Sequence, residues 1–196
     1  PDASQSASRS LANMALNYIS HLDDGETAVR QYALADNMTQ QFAALGNLLR
    51  IGMGQTELAT FYEQWRSERL VIDKWFGVQI ANAKPTDLIK TTKNLVKHDD
   101  FTMKNPNRFR SVFGHFSRNF AGFHHETGTG YGLLADWLIK VDKINPQLTA
   151  RMCSAFQEGP FDETRKSLIR SNLNRVLQTN GLSVDTTEMA TRILQG

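Results

Sequence analysis

A chain of 196 residues, 40% apolar and 21% charged, is long enough for one sizeable core and too apolar to be disordered throughout. Its 22 basic and 20 acidic side chains leave a formal charge of +2 with no basic run, so the footprint of a nucleic-acid binder is missing. No run approaches the roughly 18 apolar residues that span a bilayer, and no charged-then-apolar start reads as a signal peptide, so the expected location is cytoplasmic and neither membrane nor nucleic acid is an expected partner. One cysteine, Cys153, excludes an internal disulfide and fits a reducing compartment or a core thiol; its place inside an apolar helical run favours the core thiol. The first residue is Pro rather than Met, which suggests a processed protein or a piece of a longer one.

Residues 1 to 9, PDASQSASR, are small and polar and read as a linker or flank. In LANMALNYISHL, Leu11, Met14, Ala15, Tyr18 and Leu22 recur at three- and four-residue spacing, predicting a first helix with that stripe turned inward and Asp23-Asp24-Gly25 closing it. A second helix is expected over 26 to 35. Asp36-Asn37 can cap a third, carrying Met38, Phe42, Leu45, Leu48 and Leu49 and ending at Gly52 and Gly54. A fourth, 56 to 68, places Leu58, Phe61, Tyr62 and Trp65 on one face. A fifth, 70 to 82, is apolar around most of its circumference, as a helix packed on several sides requires, and its Trp75-Phe76 pair should be deeply buried. The sixth, 87 to 98, follows Pro85 and carries Leu88, Ile89, Leu95 and Val96, with Lys97 and His98 suiting its C-terminal dipole.

Two later helices open alike. Asn105-Pro106 and Asn145-Pro146 each pair a strong N-cap with a proline whose missing N–H costs no intrahelical bond. The first carries Phe109, Phe113, Phe116 and Phe120 at spacings of four, three and four, a core face rather than a cofactor box. Between them, 121 to 132 reads as a loop from its glycines, followed by a helix over 133 to 144 with Leu134, Trp137, Leu138 and Val141 inside. The second Asn-Pro helix is expected over 147 to 158 and to end at Gly159-Pro160. An amphipathic helix over 162 to 179, with Leu168, Ile169, Leu173, Val176 and Leu177 inside, stops at Asn180-Gly181. The last, 185 to 194, should bury Met189, Ile193 and Leu194. No segment alternates as a strand does. The class is all-α: about ten to twelve helices in a curved array of antiparallel pairs, a HEAT- or armadillo-like α-solenoid without a strict repeat. Residues 10 to 196 are expected to form a single helical domain.

Catalytic constellations are missing. There is no H-E-x-x-H, G-x-S-x-G, phosphate loop or paired cysteine motif, so no catalytic residue is expected. His124, His125 and Glu126 are successive and match no ligand spacing, so no metal site is expected there. A binding surface is the better reading. Arg110 and Arg151 each follow an Asn-Pro start within two turns; were the two helices side by side, positive dipole ends and guanidinium groups would face one region and favour a carboxylate. The plain alternative is two capped surface helices with solvated arginines.

The segments DNMTQQFAAL (36 to 45), LVIDKWFGVQ (70 to 79), FTMKNPNRFRSVFGHF (101 to 116), FHHETGTGY (123 to 131) and INPQLTARM (144 to 152) together resemble the C-terminal helical domain of the bacterial aminopeptidase N family, over residues 10 to 196 in collinear order. The resemblance implies a fragment of a zinc-dependent enzyme that removes N-terminal amino acids from peptides. Zinc and the motif that holds the substrate amine belong to an upstream catalytic domain, which becomes the expected partner along with short peptides. This domain would act as a lid and substrate channel, itself inactive. The resemblance further implies that Gln147 approaches the pocket for the substrate's first side chain and that Arg110 and Arg151 line the route to the active site. The alternative is a stand-alone helical scaffold that binds a protein or peptide on a concave face.

Overall fold

In a computed structural model, which describes residues 3–157 and 162–195, the described residues form twelve α-helices and one 3-10 turn and no strand. The helices fall into two compact units, residues 1–83 and 84–196. None is long and apolar enough to cross a membrane.

The first unit holds α1 (Ala3–Leu22), α2 (Glu26–Leu34), α3 (Met38–Arg50), α4 (Gln55–Trp65) and α5 (Arg69–Ala81). Asn37 caps α3 as its sequence suggests, its side chain accepting from the Gln40 N–H at 3.0 Å. Buried apolar residues of α2 to α5, among them Leu45, Leu48, Phe61, Ile72, Phe76 and Ile80, make the core. Two polar ring atoms tie α4 to its neighbours: Tyr32 Oη donates to the Glu57 carbonyl at 2.9 Å and Trp75 Nε1 to that of Leu58 at 3.0 Å. Each aromatic body is buried while its one donor is satisfied, the arrangement that lets Tyr and Trp sit inside a core.

The first helix departs from its pattern. It begins at Ala3, so residues 3 to 9 are helical rather than an irregular linker. The stripe expected to face inward is outside: Leu11, Met14, Tyr18 and Leu22 are exposed, and Leu16 and Ser20 are buried in their place. Polar pairs define the inward face, with Asn13 accepting from Gln31 at 3.3 Å and Asn17 from Arg50 at 2.8 Å. A periodic stripe reports that a helix forms, but which face packs is decided by the surface it meets.

The second unit holds α6 (Leu88–Leu95), α7 (Pro106–Arg118), α8 (Phe120–Phe123), α9 (Thr129–Asp142), α10 (Pro146–Cys153), the 3-10 turn Ser154–Phe156, α11 (Glu163–Leu177) and α12 (Val184–Gln195). At its centre lies α9, packed against α6, α8, α10 and α11. Both Asn-Pro starts form as expected. Asn105 accepts from Asn107 N at 3.0 Å and Arg108 N at 3.4 Å, and Asn145 from Leu148 N at 2.9 Å. Phe109, Phe113 and Phe116 are fully buried, and the first two stack with centroids 4.6 Å apart. Phe120 leaves the ladder. The chain breaks helix at Asn119, Phe120 starts α8, and the residue is 56% exposed, with its ring beside His124.

The expected loop from 121 to 132 is partly helical, since α8 runs to Phe123 and α9 starts at Thr129. Two glycines there serve close approach rather than flexibility. A Cβ on Gly130 would stand 2.4 Å from the Phe123 carbonyl oxygen, and one on Gly122 would stand 2.7 Å from a Leu88 methyl. Near the end of the chain, α11 buries Leu173 and Val176, while α12 buries Thr186 and Ala190 rather than Met189, Ile193 and Leu194. The expected stop of α10 at Gly159-Pro160 lies outside the described residues; α10 itself ends at Cys153.

Candidate anion-binding site

Two arginines stand close together in the motif at 104 to 110, and the structure gives them different work. Arg108 points inward: it is buried and its Nη1 donates to the Asp100 carbonyl, which holds the loop before α7. Arg110, two residues on, lies on the other side of the helix and is exposed. Its Nη2 donates to Asn107 Oδ1 at 2.6 Å, a bond one turn back along α7 that restrains the guanidinium.

Arg110 opens onto a depression of about 360 Å³ that it shares with Arg151 of α10. The other lining residues are Gly114, Ser117 and Arg118 of α7 together with Met152, Ser154 and Ala155. On α7 the contributing positions are i, i+4, i+7 and i+8, so one helix face supplies half the wall. A Cβ on Gly114 would find nothing nearer than Arg110 Cβ at 4.0 Å, so the missing side chain there is open space. The hydroxyls of Ser117 and Ser154 donate to the carbonyls of Gly114 at 3.3 Å and Arg151 at 2.9 Å. That leaves the guanidinium groups as the wall's strong donors.

The charge therefore comes from side chains alone. Asn105 and Asn145, the N-caps of α7 and α10, do not line the depression, whose wall is the middle and C-terminal part of α7 and the C-terminal end of α10 with the turn after it. The expected convergence of helix N-termini is absent, and carbonyl ends are the nearer dipole poles. What remains is three arginines and, among the described lining residues, no carboxylate. Burial first, and the Arg118 guanidinium second, push the His115 imidazole below its ordinary value of 6.5, so at neutral pH it adds no further charge.

Gln147 lies next door. It lines a second depression of about 610 Å³ with Ala150, Arg151, Asp185, Glu188, Met189 and Arg192. Arg151 is common to both walls, whereas Arg110 and Gln147 are not brought into one depression. Arg118 is the residue that sequence reasoning missed. Its signal was its spacing of eight from Arg110, on a helix whose inner face the phenylalanines had already defined.

Asp142, the last residue of α9, ties that helix to the start of α12. Its buried carboxylate accepts from Ser183 N at 2.8 Å, Ser183 Oγ at 2.6 Å and Thr186 Oγ1 at 2.6 Å, at the start of α12. Charge-assisted bonds of this kind compensate the desolvation of the carboxylate. Cys153 nearby is buried; burial, then the Asp142 charge, pushes its thiol up to about 12, so it is an inert core group and not a nucleophile.

His124, His125 and Glu126 do not converge. His124 is buried with Nδ1 2.8 Å from Tyr131 Oη, and its carbonyl accepts from Arg165 Nε at 2.6 Å. His125 is exposed, with Nδ1 3.1 Å from Thr127 Oγ1.

Residues 1–195 match the family described as "Domain of unknown function (DUF3458_C) ARM repeats". The chain is 34% identical over 194 residues to an aminopeptidase N of Haemophilus influenzae, with 96% of this chain and 22% of the relative covered. It is 32% identical over 196 residues to aminopeptidase N of Escherichia coli K12, again with 96% and 22% covered. A crystal structure of Legionella pneumophila aminopeptidase A in complex with aspartic acid superposes with a TM-score of 0.91 at 32% identity, covering 99% of this chain and 24% of that one. The chain thus spans less than a quarter of the length of these relatives. The all-α fold and the resemblance read from the sequence both agree with these matches.

Proposed function

Because this chain belongs to the DUF3458_C family of ARM-repeat domains, which matches the C-terminal region of bacterial aminopeptidase N, we propose that it serves as the lid and substrate-channel domain of an aminopeptidase. In this reading residues 10 to 196 work as one domain beside an upstream catalytic domain of the same polypeptide. That catalytic domain removes N-terminal amino acids from peptides. Arg110 and Arg151 bind the carboxylate of a short peptide, and Gln147 trims the pocket for its first side chain. A cytoplasmic setting belongs to the same proposal and fits the free, buried Cys153.

The single observation that carries the reading is the shared depression. Two arginines 41 positions apart in the chain line one concavity with a third, and no described residue there neutralises them. Guanidinium groups so placed act by charge-assisted, bidentate pairing with a carboxylate. They hold the peptide's tail and thereby its orientation, which is a positioning role rather than a chemical one.

Zinc, which the resemblance implies for the catalytic domain, does not fit the described residues of this chain. Among the described residues no three His, Cys, Asp or Glu side chains converge, and His124 is held by Tyr131. Its ligands would come from the upstream domain.

The test uses the full polypeptide. Arg110→Ala and Arg151→Ala should each raise KM for free tri- and tetrapeptides by roughly fivefold, about 1 kcal/mol for exposed charge pairs, with kcat little changed. Uncharged aminoacyl chromogenic substrates, which bring no tail carboxylate, should be nearly unaffected. An equal rise in KM for both substrate classes refutes the carboxylate role.

A further inference from the structure

One carboxylate is a poor match for the charge in the α7–α10 depression. Arg110, Arg118 and Arg151 contribute three guanidinium groups to its wall. A peptide tail brings a single negative charge, which one or two flanking guanidinium groups satisfy. The excess is not relieved within the wall: among the described residues, the guanidinium groups of Arg118 and Arg151 form no hydrogen bond or ion pair. Arg110 is the restrained member, its head fixed on Asn107 one turn toward the start of α7. Arg118 closes the same wall two turns further along the helix, beyond the open space over Gly114.

Resting on the reading that Arg110 and Arg151 hold a peptide's α-carboxylate, we infer that Arg118 is a specificity residue that takes a second carboxylate, so that the depression prefers peptides whose C-terminal residue is Asp or Glu. The size agrees. A volume of about 360 Å³ lies at the lower end for ligand sites and suits one terminal residue rather than a long segment. The acidic side chains Asp185 and Glu188 line the neighbouring depression and not this one, so they do not occupy the subsite. An amide tail residue such as Gln offers similar shape without charge. It would leave Arg118 as it is in the free protein.

The experiment measures the affinity of the full polypeptide, at low ionic strength, for Ala-Ala-Glu, Ala-Ala-Gln and Ala-Ala-Gln-amide, each as a competitor of an uncharged aminoacyl chromogenic substrate. The Glu tail should bind about three- to tenfold more tightly than the Gln tail, as expected for a partly enclosed charge pair. Arg118→Ala should erase that ratio while changing the Gln-tail Kd by less than about twofold, and Arg118→Lys should keep part of it. Equal Kd values for the Glu and Gln tails on the unaltered chain, or an Arg118→Ala loss that is the same for both, overturns the inference and leaves the tail reading standing. A Gln tail that binds equally well when amidated, or no competition by any of the peptides, overturns the tail reading and this inference with it.

Discussion

Gly114 shows how a single residue can serve site and stability in opposite directions. It sits inside α7, where glycine costs about 0.5–1 kcal/mol relative to alanine, and the space its Cβ would occupy is empty. Gly114→Ala should therefore raise stability by about 0.5–1 kcal/mol in urea unfolding, since nothing must move to admit the methyl group. A decrease would show that the wall of the depression is tighter than its geometry indicates. Arg108 and Arg110 make the complementary point. They share a motif and a charge, yet one is buried against the Asp100 carbonyl and the other faces the depression. The difference is helical phase: two residues along a helix turn a side chain most of the way to the opposite face.

At the scale of elements, the helix ends were legible because their chemistry is local. Asn37, Asn105 and Asn145 each accept from an N–H two or three residues ahead, which requires no tertiary partner. Faces were legible only where the apolar pattern had a single solution, as in α7 and α9. In α1 it had two. Leu16→Ala should cost about 2 kcal/mol or more, the loss of a buried side chain plus its cavity. Met14→Lys and Tyr18→Ser, on the stripe that periodicity favours, should stay within about 0.5 kcal/mol, as exposed positions do. Urea midpoints of the three variants decide it, and the reverse order would restore the inward stripe. The break at Asn119 was invisible for a related reason. The spacing of Phe120 continues the ladder, but the Asn119 side chain accepts from Gly122 N at 3.4 Å and restarts the helix as α8.

For the whole chain, the lid reading makes a simple demand. Supplied with zinc, the 196-residue chain should hydrolyse an aminoacyl chromogenic substrate no faster than buffer, because among the described residues no three His, Cys, Asp or Glu side chains group to hold the metal and the one thiol is buried; turnover above background would contradict the division of labour. The sequence by itself determined the all-α class, both Asn-Pro helix starts and the buried phenylalanines of α7, since capping, proline geometry and apolar periodicity act within one or two turns. It also named Arg110 and Arg151, but with helix N-termini beside them that the structure places elsewhere. Only tertiary structure decided that these arginines meet, that Arg118 joins them, that Gln147 belongs to the neighbouring depression and that α1 turns its apolar stripe outward. Those outcomes depend on how separate helices are rotated and stacked, and that is set by the fit between surfaces far apart in the chain, which no local pattern encodes.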